Sequence, residues 1–206
     1  MVATLEVFRS HAQLTPAVAN RSEETTTTFF TIGHSTRTIA EFVDLLHESS
    51  VSLVVDVRSV PRSRTNPQFN RETLPETLAS RQIGYAHIAE LGGRRNKTRE
   101  VDPSLNAFWQ VTSFHNYADY ALTQPFAEGF ARLRDVGQRQ TGAIMCSEAV
   151  WWRCHRRIIT DYLIAGGEQV KHILAPGHVD NAALTPGAVV RGDGTVIYPA
   201  ADPPSD

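Results

Sequence analysis

The run Val51-Ser52-Leu53-Val54-Val55-Asp56-Val57 is almost continuously apolar and rich in β-branched residues. A strand of that kind has no face to spare for water, so it belongs in a sheet covered on both sides, usually by the helices of parallel crossovers. Its neighbours agree. Phe29-Phe30-Thr31-Ile32 reads as an earlier strand, and Ile39, Phe42, Val43, Leu45 and Leu46 have helical spacing behind Thr38, an N-cap with Glu41 three residues on. Strand, helix and strand make one βαβ unit. Further along, the pattern predicts a helix from an Asn70 cap to about Ser80, a strand over 83–88, and one or two helices over 117–138 broken at Pro125. A strand over 142–146, a helix over 151–165 ended by Gly166-Gly167, and a strand over 170–174 complete the series. The expected class is α/β: a mostly parallel open sheet of about five strands with helices on both faces. Val189-Val190-Arg191 and Thr195-Val196-Ile197, turning at Gly192-Asp193-Gly194, predict a C-terminal hairpin.

At 206 residues the chain has room for one domain of ordinary size. Residues 1–28 end in a polar run without period, and 199–206 hold Pro199, Pro203 and Pro204, so both read as tails around a single domain over 29–198. Residues 92–112 form a long charged excursion, of the kind that serves as a functional lid or is disordered.

A net charge of -2 argues against a polybasic nucleic-acid protein. Yet 18 of the 20 basic side chains are arginine, with Lys97 and Lys171 the exceptions. That excess reflects either codon bias or a use for the planar fork that grips carboxylate and phosphate. Two cysteines rule out a disulfide framework and make the cytoplasm the expected location. No stretch approaches the ~20 apolar residues that span a bilayer, and the N-terminal residues lack a signal-peptide apolar region, so no membrane partner is expected.

In open parallel sheets, ligands bind beyond the carboxyl ends of the strands. Gly33-His34-Ser35-Thr36 follow the first strand; Asp56, Arg58, Ser59, Arg62, Ser63 and Arg64 end or follow the second; Cys146, Ser147 and Glu148 end or follow the fourth. Three polar loops should therefore share one crevice. The arginines suggest an anion site, with Asp56 either orienting Arg58 or acting as a catalytic carboxylate. A glycine before His34 would let a ligand come close, and the imidazole is a candidate acid or base.

The densest constellation runs from Cys146 to Arg157. On a helix starting near Trp151, Cys154, His155, Ile158, Ile159 and Tyr162 would face inward while Arg153, Arg157 and Asp161 faced out. Cys154 is then a core thiol, Cys146 the better nucleophile and Glu148 the better proton carrier. A zinc site is not expected, since adjacent helical side chains diverge, and no metal is assigned. Cys146 to Arg153 is C-x6-R, one residue longer than the C-x5-R cradle of phosphatases and rhodaneses. Whether the two thiols pair is left open.

Thr31-Ile32-Gly33-His34-Ser35, Asp56-Val57-Arg58 with Pro61 and Ser63, Ile83-Gly84-Tyr85, Leu91-Gly92-Gly93, Met145-Cys146-Ser147-Glu148 and Cys154-His155-Arg156 together resemble the domain of unknown function 488 family over about residues 29–174. The resemblance implies an α/β domain whose motif residues Gly33, His34, Ser35, Asp56, Arg58, Cys146, Glu148, Cys154, His155 and Arg156 gather at one site. It implies no reaction.

The expected function is hydrolysis or group transfer on a phosphate-bearing small molecule, a nucleotide or nucleic acid. Glu148, His34, Cys146 and Asp56 are the catalytic candidates, and Ser35, Arg58, Arg62, His155 and Arg156 the substrate-binding ones. No dinucleotide or P-loop glycine string occurs, and the cofactor and oligomeric state are unknown. The alternative is a non-catalytic nucleic-acid or partner-binding module that uses Arg94, Arg95, Lys97 and Arg99 with Trp109. A third reading makes the Cys-Glu and Cys-His-Arg groups a buried polar network that only locks sheet to helix.

Overall fold

A computed structural model describes residues 27–200, so most of both expected tails lies outside the described residues. Strand β1 (Thr28–Gly33) starts the sheet, and helix α1 (Ile39–Glu48) follows behind a complete Thr38–Glu41 capping box. Strand β2 (Leu53–Asp56) is buried at all four positions, as its double-sided apolar pattern requires. Then come α2 (Leu74–Ala79), β3 (Gly84–His87), α3 (Thr112–Ala121), α4 (Gln124–Arg139), β4 (Gly142–Cys146), α5 (Arg156–Ala165) and β5 (Gln169–Ala175). Strand β6 (His178–Asn181) and a hairpin of β7 (Val189–Val190) and β8 (Val196–Ile197) complete the chain.

The sheet has six strands in the order β3-β2-β4-β1-β5-β6, parallel except for β6, which pairs antiparallel with β5. The expectation of about five strands missed β6. Alternate residues divide into two cores. Ile32, Val54, Ala143 and Met145 pack with Phe42 and Leu46 of α1 and Leu74 and Leu78 of α2. Phe29, Val55 and Ile144 pack with Tyr117, Phe126, Leu133, Ile158 and Ile159 of α3, α4 and α5 on the other face.

Several local expectations change. Asn70 caps no helix: its side chain accepts from the Ser63 N–H, a 3-10 turn occupies Pro67–Phe69, and α2 begins only at Leu74. The break between α3 and α4 falls at Leu122 and Thr123, with Pro125 in the first turn of α4, where its missing N–H costs nothing. Residues 151–165 are not one helix. Trp151–Arg153 is a 3-10 turn, Cys154 is extended (φ -129°, ψ 147°), and α5 begins at Arg156. Asp161 points inward, not outward, and accepts from the Thr185 N–H and the Tyr198 hydroxyl, tying the hairpin to α5. Within 92–112, Pro103–Asn106 forms a 3-10 turn, and Trp109 is buried against Phe114 and Tyr198.

Gly137 of α4 lies on the Phe29 ring, where an added Cβ would stand 2.0 Å from Cζ. Alanine ordinarily improves a helix over glycine by ~1 kcal/mol. Here Phe29 is core-buried and has no room to yield, so Gly137→Ala should instead destabilise by ~1–3 kcal/mol. Urea unfolding checks the sign, and a stabilised variant would refute the packing.

Candidate active site

The carboxyl ends of β1, β2 and β4 open into a cleft of about 560 Å³, as the strand-end rule anticipates. His34, Ser35, Arg58, Arg62, Cys146, Glu148 and His155 of the expected set all line it. Asp56 and Arg156 do not, and both are buried beneath it. Arg94, Arg153 and Cys154, which are not among the expected catalytic or substrate-binding residues, line the cleft too, Cys154 in keeping with its place among the motif residues, whereas Arg64 is exposed outside the lining. The loop Ser147–Ala149 comes so close to β1 that a Cβ on Gly33 would stand 1.9 Å from the Glu148 carbonyl oxygen. Main-chain bonds from His34 N to Cys146 O and from Ser35 N to Ser147 O hold these two loops side by side.

Asp56 and Arg58 form a buried pair. The Arg58 guanidinium donates to both carboxylate oxygens at 2.6–3.1 Å and to the Phe69 carbonyl at 2.7 Å, and the Tyr85 hydroxyl donates to Asp56 at 2.8 Å. Asp56 is fully engaged in orienting Arg58 and is not exposed for proton transfer. Arg58 Nη1 also reaches His34 Nε2 at 3.2 Å. Because a guanidinium only donates, that nitrogen carries a lone pair, and Nδ1–H donates to the Ser35 carbonyl at 3.0 Å. Burial first, and then the charge of Arg58 against the Ser35 bond, brings the His34 imidazole down to about 4. His34 is stacked on Phe69, and both its ring nitrogens are hydrogen-bonded, to Arg58 and to the Ser35 carbonyl.

The Cys146–Cys154–His155–Arg156 group is arranged differently from the helical expectation. His155 Nε2 lies 3.0 Å from the Val57 carbonyl, which can only accept, so Nε2 bears the proton and Nδ1 the lone pair. That Nδ1 sits 3.5 Å from Cys154 Sγ and 3.9 Å from Cys146 Sγ. Gly93 makes room for it, since a Cβ there would lie 2.3 Å from Nδ1. The Leu91-Gly92-Gly93 motif was the sequence signal for this approach. Arg156, 1% exposed, donates from Nε to Cys154 Sγ at 3.4 Å and from Nη2 to the Glu148 carbonyl at 2.5 Å.

No carboxylate among the described residues forms an ion pair with Arg156. A buried cation is costly unless an anion or a full set of acceptors meets it. The anion available is the Cys154 sulfur. Burial pushes the Cys154 thiol up, but the hydrogen bond from Cys146 and the charge and hydrogen bonds of Arg156 outweigh it and bring the thiol down to about 6. Cys146, hydrogen-bonded to Cys154 and buried, is pushed up to about 12.

Cys146, Cys154 and His155 also form the one cluster of metal-type donors among the described residues, their donor atoms within 4.8 Å of one another. The divergence expected of helical neighbours is absent because Cys154 is extended and His155 precedes α5. Arg156 already supplies the positive charge beside the Cys154 sulfur, and we read the cluster as a thiol centre.

The alternative grouping around the long loop is only partly assembled. Arg95 is bound to the carbonyls of Ala89, Glu90 and Gly92 and lies over Tyr120, and buried Trp109 offers no face to a base. Arg94 alone of that set joins the cleft.

Fold and site together define an α/β protein with a thiol–imidazole–guanidinium centre under an arginine-lined cleft. The sequence model of the family described as Domain of unknown function DUF488 matches residues 38–163, and the chain belongs to that family. The match contains the Asp56–Arg58 pair and Cys146 to Arg156, and begins after the Thr31–Ser35 motif. No curated protein and no solved structure matches the chain. No helix among the described residues is long and apolar enough to cross a membrane.

Proposed function

We propose that this protein is an enzyme, a hydrolase or group transferase, that uses Cys154 as its nucleophile on a phosphate-bearing small molecule or nucleotide. The observation that carries the reading is the buried Arg156 guanidinium, which donates to the Cys154 sulfur and pairs with no carboxylate among the described residues. A thiolate so held is ready to attack before substrate arrives. Arg62, Arg94 and Arg153 line the cleft above it, with Glu148 the one carboxylate among the lining residues. That excess of positive charge suits an anionic substrate, and guanidinium forks match phosphate oxygens in pairs. Ser35, Ser59 and Ser147 add neutral donors. In the reaction, the Cys154 thiolate forms a covalent bond to the transferred group. As the S–P bond forms, the P–O bond to the leaving group breaks and the departing oxygen takes a proton from Glu148. Water or an acceptor then attacks phosphorus, His155 Nδ1 takes its proton, and the S–P bond breaks to return the thiolate.

The test is turnover of p-nitrophenyl phosphate and a panel of nucleoside phosphates. Cys154→Ser should abolish turnover while keeping a native circular dichroism spectrum, with a lowered melting temperature because buried Arg156 loses its sulfur partner. Arg153→Ala should raise KM about tenfold, the loss of one guanidinium–phosphate contact. A fully active Cys154→Ser protein, or a panel on which the wild type does nothing, overturns the reading.

A further inference from the structure

We infer that Cys146 and Cys154 act together as a peroxide-reducing pair, cycling between two thiols and a disulfide at the floor of the cleft. The inference rests on the reading of Cys154 as the anionic sulfur and is independent of the phosphate-bearing substrate. Both cysteines are free, both line the cleft, and both sulfurs lie within 4.8 Å of each other and of His155 Nδ1. A nucleophile that needed no partner would not require a second thiol so close. The two sulfurs are not equivalent, because Arg156 touches only Cys154. That asymmetry assigns the roles: an anionic sulfur that attacks and a neutral one that resolves.

Closing the pair requires the two sulfurs to approach from within 4.8 Å to bonding distance. Cys146 is the last residue of β4, whereas Cys154 lies in the extended link between the 3-10 turn and α5, outside regular structure. The cleft is hydrophilic and ample for a small peroxide. Hydroxyl and guanidinium groups at its mouth favour hydrogen peroxide or a short polar hydroperoxide over a fatty one.

The chemistry balances as follows. The Cys154 thiolate attacks the terminal peroxide oxygen, an S–O bond forms, the O–O bond breaks, and the alkoxide or hydroxide leaves and takes a proton from solvent. Sulfur is oxidised by two electrons and the peroxide reduced by two. Cys146 then attacks the Cys154 sulfenic acid: the S–S bond forms, the S–O bond breaks, and the Cys146 proton passes through His155 Nδ1 to the departing hydroxide, giving water. His155 can serve both partners because its lone pair faces both sulfurs. An external dithiol returns the pair to the starting state by two exchange steps.

The full chain, reduced and then freed of reductant, is treated with one equivalent of hydrogen peroxide at pH 7 and followed by thiol titration and intact mass. Wild type should lose both titratable thiols and a mass of two hydrogens. Cys146→Ser should instead gain one oxygen, trapped by dimedone at Cys154. Cys154→Ser should lose its remaining thiol at least ~30-fold more slowly, the ratio of an ionised to an ordinary thiol at that pH, since buried Cys146 is less acidic than an ordinary thiol. Equal oxidation rates in Cys154→Ser and wild type, or wild-type Cys154 over-oxidised while Cys146 stays free, would overturn the inference. Peroxide inertness with intact phosphate turnover removes this inference alone. A working disulfide cycle without phosphate turnover removes the substrate reading alone.

Discussion

Arg58→Met should cost about 3–5 kcal/mol of folding stability, the typical result of removing one partner of a buried ion pair. The methionine fills much of the arginine's volume, so the loss is electrostatic more than steric. It strands the Asp56 carboxylate, which is fully buried and would keep only the Tyr85 hydroxyl and the Arg58 main-chain N–H of its present donors. Three further contacts vanish with the guanidinium: the Phe69 carbonyl, His34 Nε2 and the second carboxylate oxygen. For a domain whose whole stability is ~5–15 kcal/mol, this separates a robust fold from a marginal one. The double variant Asp56→Asn/Arg58→Met should recover a large part of the loss, because no stranded charge then remains. Urea unfolding of the two single variants and the double gives the coupling directly. A single variant within 1 kcal/mol of wild type would mean the pair is not what orders the β2 loop.

Arg156→Met should shift the chemistry more than the fold. In wild type, alkylation of Cys154 by iodoacetamide should rise with pH to a half-point at about 6 and level off above pH 7. The sign follows from thiol acidity: a cation beside the sulfur favours the deprotonated form, so the thiolate persists to lower pH. Removing the guanidinium leaves burial, which raises the thiol, opposed only by the Cys146 hydrogen bond, and the half-point should move up from about 6 toward the ordinary ~8.5 of a free cysteine. At pH 7 alkylation should then slow by up to ~30-fold. Stability should fall less than in Arg58→Met, because a thiol deprived of its cation can take up a proton and become neutral. Arg156→Lys should restore part of the low half-point, since it returns charge without the Nε geometry. An unchanged profile in Arg156→Met would assign the low-pH thiolate to the Cys146 hydrogen bond instead and remove the basis of the proposed nucleophile.

The fold could be read from the sequence wherever the signal was local and repetitive. The Val51–Val57 run and the Thr38–Glu41 cap each state their structure within a few residues, and β2 and α1 follow them closely. Strand β6 carries no such signal. Its residues His178, Val179, Asp180 and Asn181 are all exposed, and only pairing with β5 makes them a strand. The strand-end rule found the cleft because it depends on topology, which a parallel sheet fixes early. It could not sort the residues within it. The helical register expected from Trp151 fails because a 3-10 turn and one extended residue precede α5, which places Cys154 at the cleft lining while keeping it buried. The burial of Arg156 was equally hidden, since its acceptors come from Cys154 and from a loop eight residues earlier. The arginine excess divides in the fold: Arg156 is a buried cation under the site, Arg58 is paired with Asp56 at the cleft wall, and Arg62, Arg94 and Arg153 also line the cleft.

Strand β6 has one more consequence. A parallel sheet ending at β5 would present open amide and carbonyl groups beside Ile173 and Leu174, a ready template for a foreign strand. Reversing direction at Gly177 lays a short polar ribbon over that margin and faces the outside with His178 and Asp180, which pair with each other at 3.1 Å. The domain thus carries its own guard against adding strands from neighbouring molecules, built from four residues that contribute almost nothing to its core.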